Sequence, residues 1–191
     1  MSIVKEVKKF VKEKCQKPTS KYGFEPFECH FKPMVRWAKR LSNELGGDQE
    51  VILVAAWLHD IGSIVDGREN HHLTGVKIAR KKLVELDYPE NKIRLVEKCI
   101  LNHRGSQNNK RESLEEKIVA EADVISNFDE IEGIFWYSFV HENKNQKEAR
   151  KEVFDKLERK WKQLHFASSK KLLKPKIKAV RVLFGKNQSH R

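Results

Sequence analysis

The run Val51 to Asp60, "VILVAAWLHD", limits this chain more than any other stretch. Eight consecutive apolar residues leave no polar face for solvent, so the segment must be buried on most sides. "VILVAAW" alone suits a buried strand as well as a helix, but the full length from Gln49 to Asp60 favours a helix, with Asp48 as its N-cap. The run ends in an adjacent His59-Asp60 pair, and Gly62 follows as a residue suited to stopping a helix. Helical partners sit three or four residues apart, so adjacency is not explained by pairing along a helix face. With eight His and seven Asp in the chain, a His-Asp dipeptide arises by chance roughly 0.3 times, and its meaning depends on what surrounds it.

What surrounds it is helical. Val4, Val7, Phe10 and Val11 recur at helical spacing, with Pro18 as a stop. "FKPMVRWAKRLSNELGG" reads as a second helix, Pro33 being tolerated in its first turn and Gly46-Gly47 ending it. "HHLTGVKIARKKLVEL" and "PENKIRLVEKCILNH" follow the buried run, and Ser113 with Glu116 has the form of a capping box opening "LEEKIVAEADVISNF". In "NQKEARKEVFDKLERKWKQLHF" Val153, Phe154, Leu157, Trp161 and Leu164 can line one face. Only "KIKAVRVLF" near the end alternates as a strand would. The expectation is an all-α fold: one helical domain over residues 1–169 and a basic C-terminal segment over 170–191.

Charge is unevenly spread. Residues 1–40 carry 11 Lys or Arg against 4 acids, 41–140 carry 12 against 18, and 141–191 carry 16 against 5. Residues 170–191 hold eight cations and no acid, which leaves nucleic acid open as a partner through the basic termini; the alternative is a solvated tail. No stretch approaches the ~18 uncharged apolar residues that span a bilayer, and a soluble, cytoplasmic protein is expected, with no membrane partner. Cys15, Cys29 and Cys99 are odd in number and lack Cys-x-x-Cys spacing, so they are expected as reduced thiols rather than a disulfide framework or a zinc knuckle.

Placed on the helices, the polar residues gather at helix ends. His30 opens one helix, His59 and Asp60 close the next, His71 or His72 opens the following one, His103 ends another, and Asp123 lies in the helix after it. Helical bundles build metal sites from inward-pointing side chains, and imidazole with carboxylate suits a borderline divalent cation. Neighbouring residues point about 100° apart around a helix, so both can meet one ion only at the helix end.

The ordered set His30, His59-Asp60, Asp123 resembles the HD superfamily of metal-dependent phosphohydrolases. The likeness covers roughly residues 25–130, with "HFKPMVRWAKRL", "AAWLHDIG", "HHLTGVKIA", "ILNHRG" and "AEADVISNF" as its successive segments. It implies an HD-domain helical bundle with additional C-terminal helices. It implies too that His30, His59, Asp60 and Asp123 bind a divalent metal (Mn, Fe, Ni, Co, Zn or Mg). His103 and His71, with His72 as the alternative to His71, match the histidines that complete a second site in the binuclear branches, where Asp60 would bridge two ions and orient the attacking water. His141, His165 and His190 fall outside the pattern.

Such a site lowers the pKa of bound water and polarises a phosphoryl oxygen. Arg104 and Arg68 are placed to reach phosphate oxygens, for which a guanidinium is well suited. Ser63, Ile64 and Val65 stand between the His-Asp pair and Asp66, so the acid that some superfamily members carry just after the pair has no clear counterpart. The GYP motif of the cyclic-dinucleotide branch is missing after "NHRG". The expected activity is hydrolysis of a phosphate ester or anhydride in a small substrate, a nucleotide first. RNA or cyclic-nucleotide phosphodiesterase activity and non-catalytic nucleotide sensing are the alternatives; the sequence does not set the oligomeric state.

Overall fold

The computed structural model describes residues 2–104 and 110–185. Among them the regular structure is helical without strands: α1 (Ile3–Gln16), a π-helical turn (Phe27–Phe31), α2 (Lys32–Leu45), α3 (Gln49–Leu58), α4 (Ile61–Asp66), α5 (His71–Glu85), α6 (Glu90–Asn102), α7 (Leu114–Asp129), α8 (Ile131–Val140), α9 (Gln146–Lys162) and α10 (Ala167–Phe184). Two compact units divide within α7, one running to Asp123 and the other starting at Val124.

The first unit is organised around α3. Seven of its ten residues are buried, because α1, α2 and α6 all pack against it, which is why it is apolar all round. Its start is fixed by Asp48, whose side chain accepts the Val51 N–H at 3.1 Å. Pro33 is the second residue of α2, but the π-helical turn runs into that helix without a break, so its missing N–H falls inside a continuous helical stretch rather than at a free helix start. Gly46 ends the helix at φ 91°. Ser113 and Glu116 close the expected capping box, with Glu116 N–H to Ser113 Oγ at 3.2 Å and Ser113 N–H to Glu116 Oε2 at 2.8 Å. Cys15 and Cys99 are buried free thiols, and burial pushes the Cys15 thiol up to about 12.

Gly62 departs from its expected role. It does not stop a helix but stands second in α4. A Cβ there would lie 2.1 Å from the His71 carbonyl oxygen and 2.7 Å from the Gly75 nitrogen. Gly62 is therefore a close-approach residue, letting the backbone after the His-Asp pair press directly on the start of α5.

In the second unit α9 packs against both α8 and α10. Asn145 and Glu148 form a reciprocal capping box at the start of α9. Val153 and Leu157 are buried as the periodicity predicts, while Phe154 and Trp161 are half-buried. "KIKAVRVLF" is helix, not strand: Ser169, Leu173, Ile177 and Val180 are the buried stripe of α10, and a 3.6-residue period outweighs the short alternation. Most of the basic segment thus lies in α10, while residues 186–191, with His190, lie outside the described residues.

Candidate metal centre

Three histidines share one local device. His59 and His103 follow the last residues of α3 and α6, and His71 is the first residue of α5. Each ring turns back on the residue three positions earlier: Nδ1 lies 2.9 Å from the Ala56 oxygen in His59, 2.7 Å from the Arg68 oxygen in His71, and 2.5 Å from the Ile100 oxygen in His103. A carbonyl only accepts, so Nδ1 carries the proton and Nε2 presents a lone pair to the site.

The fourth histidine arrives differently. His30 sits in the π-helical turn that runs into α2, a feature that tends to mark functional positions. Aromatic packing holds this turn, with Phe27 stacked 5.3 Å from Phe24 and 5.5 Å from Trp57, and the Phe31 ring 5.5 Å from that of His59.

Between these rings lies the Asp60 carboxylate, and each of its oxygens faces two of them. Oδ2 is 3.2 Å from His30 Nε2 and 3.5 Å from His59 Nε2. Oδ1 is 3.2 Å from His71 Nε2 and 3.4 Å from His103 Nε2. Asp123 Oδ1 stands 3.9 Å from His30 Nε2, on the first side. The groups His30, His59, Asp60 and Asp60, His71, His103 each bring their donor atoms within 4.8 Å of one another. His71, not His72, reaches Asp60; the His72 ring is buried, its centroid 5.8 Å from that of His71.

Two details show that the set fits a cation. The Nε2 atoms of His30 and His59 approach to 2.9 Å, so two imidazole nitrogens converge on one place beside Asp60 Oδ2, as the ligands of one ion do. Asp60 Oδ1 is buried without a hydrogen-bond partner, although two imidazole nitrogens face it. Imidazole nitrogens and carboxylate oxygens in this number are donors a borderline divalent ion accepts.

The electrostatics follow the same layout. Burial, aided by His30 and His103 and opposed by Asp60 and Asp123, pushes His59 down to about 4. Burial would raise the Asp60 carboxyl, but its electrostatic coupling to His59 and then the imidazoles of His103, His30 and His71 hold it well below the usual range. Burial would lower His71, yet Asp60 and the Arg68 carbonyl raise it. His72 is lowered by burial first, then by His71, Arg104 and His103. Arg104 is half-buried and near enough for its charge to act on both His71 and His72. Arg68 is exposed, and its carbonyl accepts from His71.

The HD domain family model matches residues 28–127, just over half of the chain. The chain belongs to the HD domain family. A tRNA (cytidine(56)-2'-O)-methyltransferase of Picrophilus torridus is 27% identical over 130 residues, 63% of this chain and 37% of that enzyme; the chain thus spans little more than a third of that relative's length. Among solved structures, a protein of Lactobacillus plantarum superposes with a TM-score of 0.75 at 16% identity, covering 95% of this chain and 92% of that one. An HD-superfamily hydrolase of Bacillus thuringiensis gives 0.70 at 20% identity, covering 94% and 91%. At these identities the likeness is one of fold.

Sequence reasoning missed the carbonyls that orient His59, His71 and His103, and the close pass at Gly62. The readable signal for the first was the placing of His59, His71 and His103 at helix ends, where the chain turns and a ring can reach back to a carbonyl of the preceding turn.

Proposed function

We propose that this protein is a metal-dependent phosphohydrolase cleaving a phosphate ester or anhydride, with a nucleotide as the leading substrate class. The observation that carries the proposal is the Asp60 carboxylate, placed with one oxygen toward His30 and His59 and the other toward His71 and His103. His30, His59, Asp60 and Asp123 would hold one divalent ion, and Asp60, His71 and His103 a second. Such ions supply an activated water and polarise a phosphoryl oxygen when bound. The chain's own contribution is orientation. Ala56, Arg68 and Ile100 lock the imidazoles, and the half-buried Arg104 guanidinium beside His71 and His72 meets phosphate oxygens. The N-terminus of α5, which begins at His71, adds a favourable dipole for an anion.

Metal content of the purified protein, followed by a panel of nucleotides and phosphodiesters with Mn, Ni, Co and Mg beside an Asp60→Ala control, tests the reading. Metal-dependent turnover lost in the control supports it. Two ions per chain with no hydrolysis across the panel would point instead to a nucleotide sensor.

A second reading, RNA phosphodiesterase, is favoured by α10. Lys170, Lys171, Lys174 and Lys178 are exposed along one side of that helix, and a tRNA methyltransferase is among the relatives. RNA binding that weakens steeply with salt, and more gently once these lysines are replaced, would support it.

A further inference from the structure

We infer that Arg111 is a positioning residue for the second half of the site: its guanidinium ties down the C-terminal carbonyls of α6 and so aims His103 at Asp60. This rests on the reading that two ions share Asp60.

The last carbonyls of a helix have no partner within it. At the end of α6, Arg111 Nε donates to the Asn102 oxygen at 2.8 Å and Nη2 to the His103 oxygen at 3.2 Å. The planar fork of arginine serves two neighbouring carbonyls at once, which a lysine ammonium on a flexible stem does poorly. His103 is therefore held twice. Its ring is fixed by Nδ1 on the Ile100 oxygen, and its backbone by Arg111.

The same residue answers for charge. Glu116, Glu121 and Asp123 on α7 are 1%, 2% and 6% exposed, and buried carboxylates need a cation nearby. The Arg111 guanidinium is half-buried within electrostatic reach of all three. Glu116 also accepts Asn102 Nδ2 at 2.5 Å through Oε1 and the Ser113 N–H at 2.8 Å through Oε2. The end of α6, which carries His103, and the start of α7, which carries Asp123 further along, are thus joined through one guanidinium and one carboxylate. Neither is a metal donor.

The test is a Mn(II) titration of wild type, Arg111→Met and Arg111→Lys, counting free ion by electron paramagnetic resonance, beside helical circular dichroism and thermal melting. Wild type is expected to take two ions. Arg111→Met is expected to keep its helical signal and to bind its first ion no more weakly than wild type, since removing a cation near Asp123 cannot weaken a cation's hold there, while binding the second about 10–100-fold more weakly, with Arg111→Lys between the two. A merely structural role would lower the melting temperature without separating the two affinities. Both ions bound by Arg111→Met at wild-type affinity overturns the role of Arg111 alone, whereas a single ion in wild type overturns the two-ion reading beneath it. If Arg111→Met loses its helical signal, Arg111→Lys decides: a second ion held as tightly as in wild type sinks the inference.

Discussion

The two sides of the Asp60 carboxylate are built by different means. On the Oδ2 side, His30 comes from a π-helical turn held by aromatic stacking, and Asp123 approaches from α7. On the Oδ1 side, His71 and His103 both sit at α-helix ends, each locked by its own chain three residues back. The first side has one such local turn, at His59, and otherwise depends on packing between elements; the second depends on local turns at both histidines plus whatever keeps α5 and α6 in place. A perturbation should therefore separate the two sides unless it strikes the carboxylate they share.

Asp60→Asn strikes it. The change keeps the shape and removes the charge, so metal content is expected to fall toward zero and turnover by about 10³-fold or more, the scale of losing a principal charge-stabilising group. Elemental analysis beside kinetics checks this, and an Asp60→Asn variant that retains both ions would break the comparison outright. Replacing one side at a time sharpens it: His103→Gln should leave about one ion per chain on the Oδ2 side, and His30→Gln one on the Oδ1 side, each with turnover down by roughly 10²-fold. Equal loss of both ions from either variant would mean that the sides do not act separately.

Acid discriminates next. His59 is depressed to about 4 by burial, below the ordinary 6.5 of an unfolded histidine. The unfolded chain therefore takes up a proton first as pH falls. The contribution is fully present above pH 6.5 and is lost as pH drops toward 4, amounting to about 3 kcal/mol for this wholly buried ring. Denaturant unfolding of metal-free protein from pH 7.5 to 4 should show the decline, and His59→Asn should flatten it. His71, whose pKa is raised by Asp60, contributes in the opposite sense, losing stability as pH rises through its folded value.

The legibility of this molecule follows the same division. The buried character of α3, the caps at Asp48 and Ser113, and the placing of histidines at helix ends are local signals, and each could be read from spacing. The π-helical turn could not, because one extra residue in a turn leaves no trace in a pattern read at a period of 3.6. Nor could the role of Gly62, which depends on where α5 passes. α8 was missed because "IFWYSFV" is apolar without periodicity, and the strand-like look of "KIKAVRVLF" yielded to the stripe buried against α9. Gly62→Ala turns one of these into a measurement. Its Cβ would collide with the His71 carbonyl, so a loss of about 1–3 kcal/mol is expected. The Oδ1 side should loosen while His30 and His59 keep their ion; unchanged stability would mean that the close pass relaxes freely.

The smallest effect on the site belongs to α10. Arg181 is bound to Glu158 through both Nε and Nη2, at 2.6 and 3.0 Å, and Lys176 pairs with Asp129, so those two cations already have local work. Lys170, Lys171, Lys174 and Lys178 face solvent, and replacing all four with glutamine should alter stability by less than about 0.5 kcal/mol, as surface changes do. Metal stoichiometry and turnover of a small nucleotide should match wild type. If these lysines contact phosphates of an RNA chain, each contact removed lowers the slope of log affinity against log salt by about 0.7 for a single strand. A slope identical to wild type would mark α10 as a solvated basic face and remove the observation that favours RNA over a small substrate, because a helix whose lysines meet no phosphates adds nothing to the affinity for a polyanion.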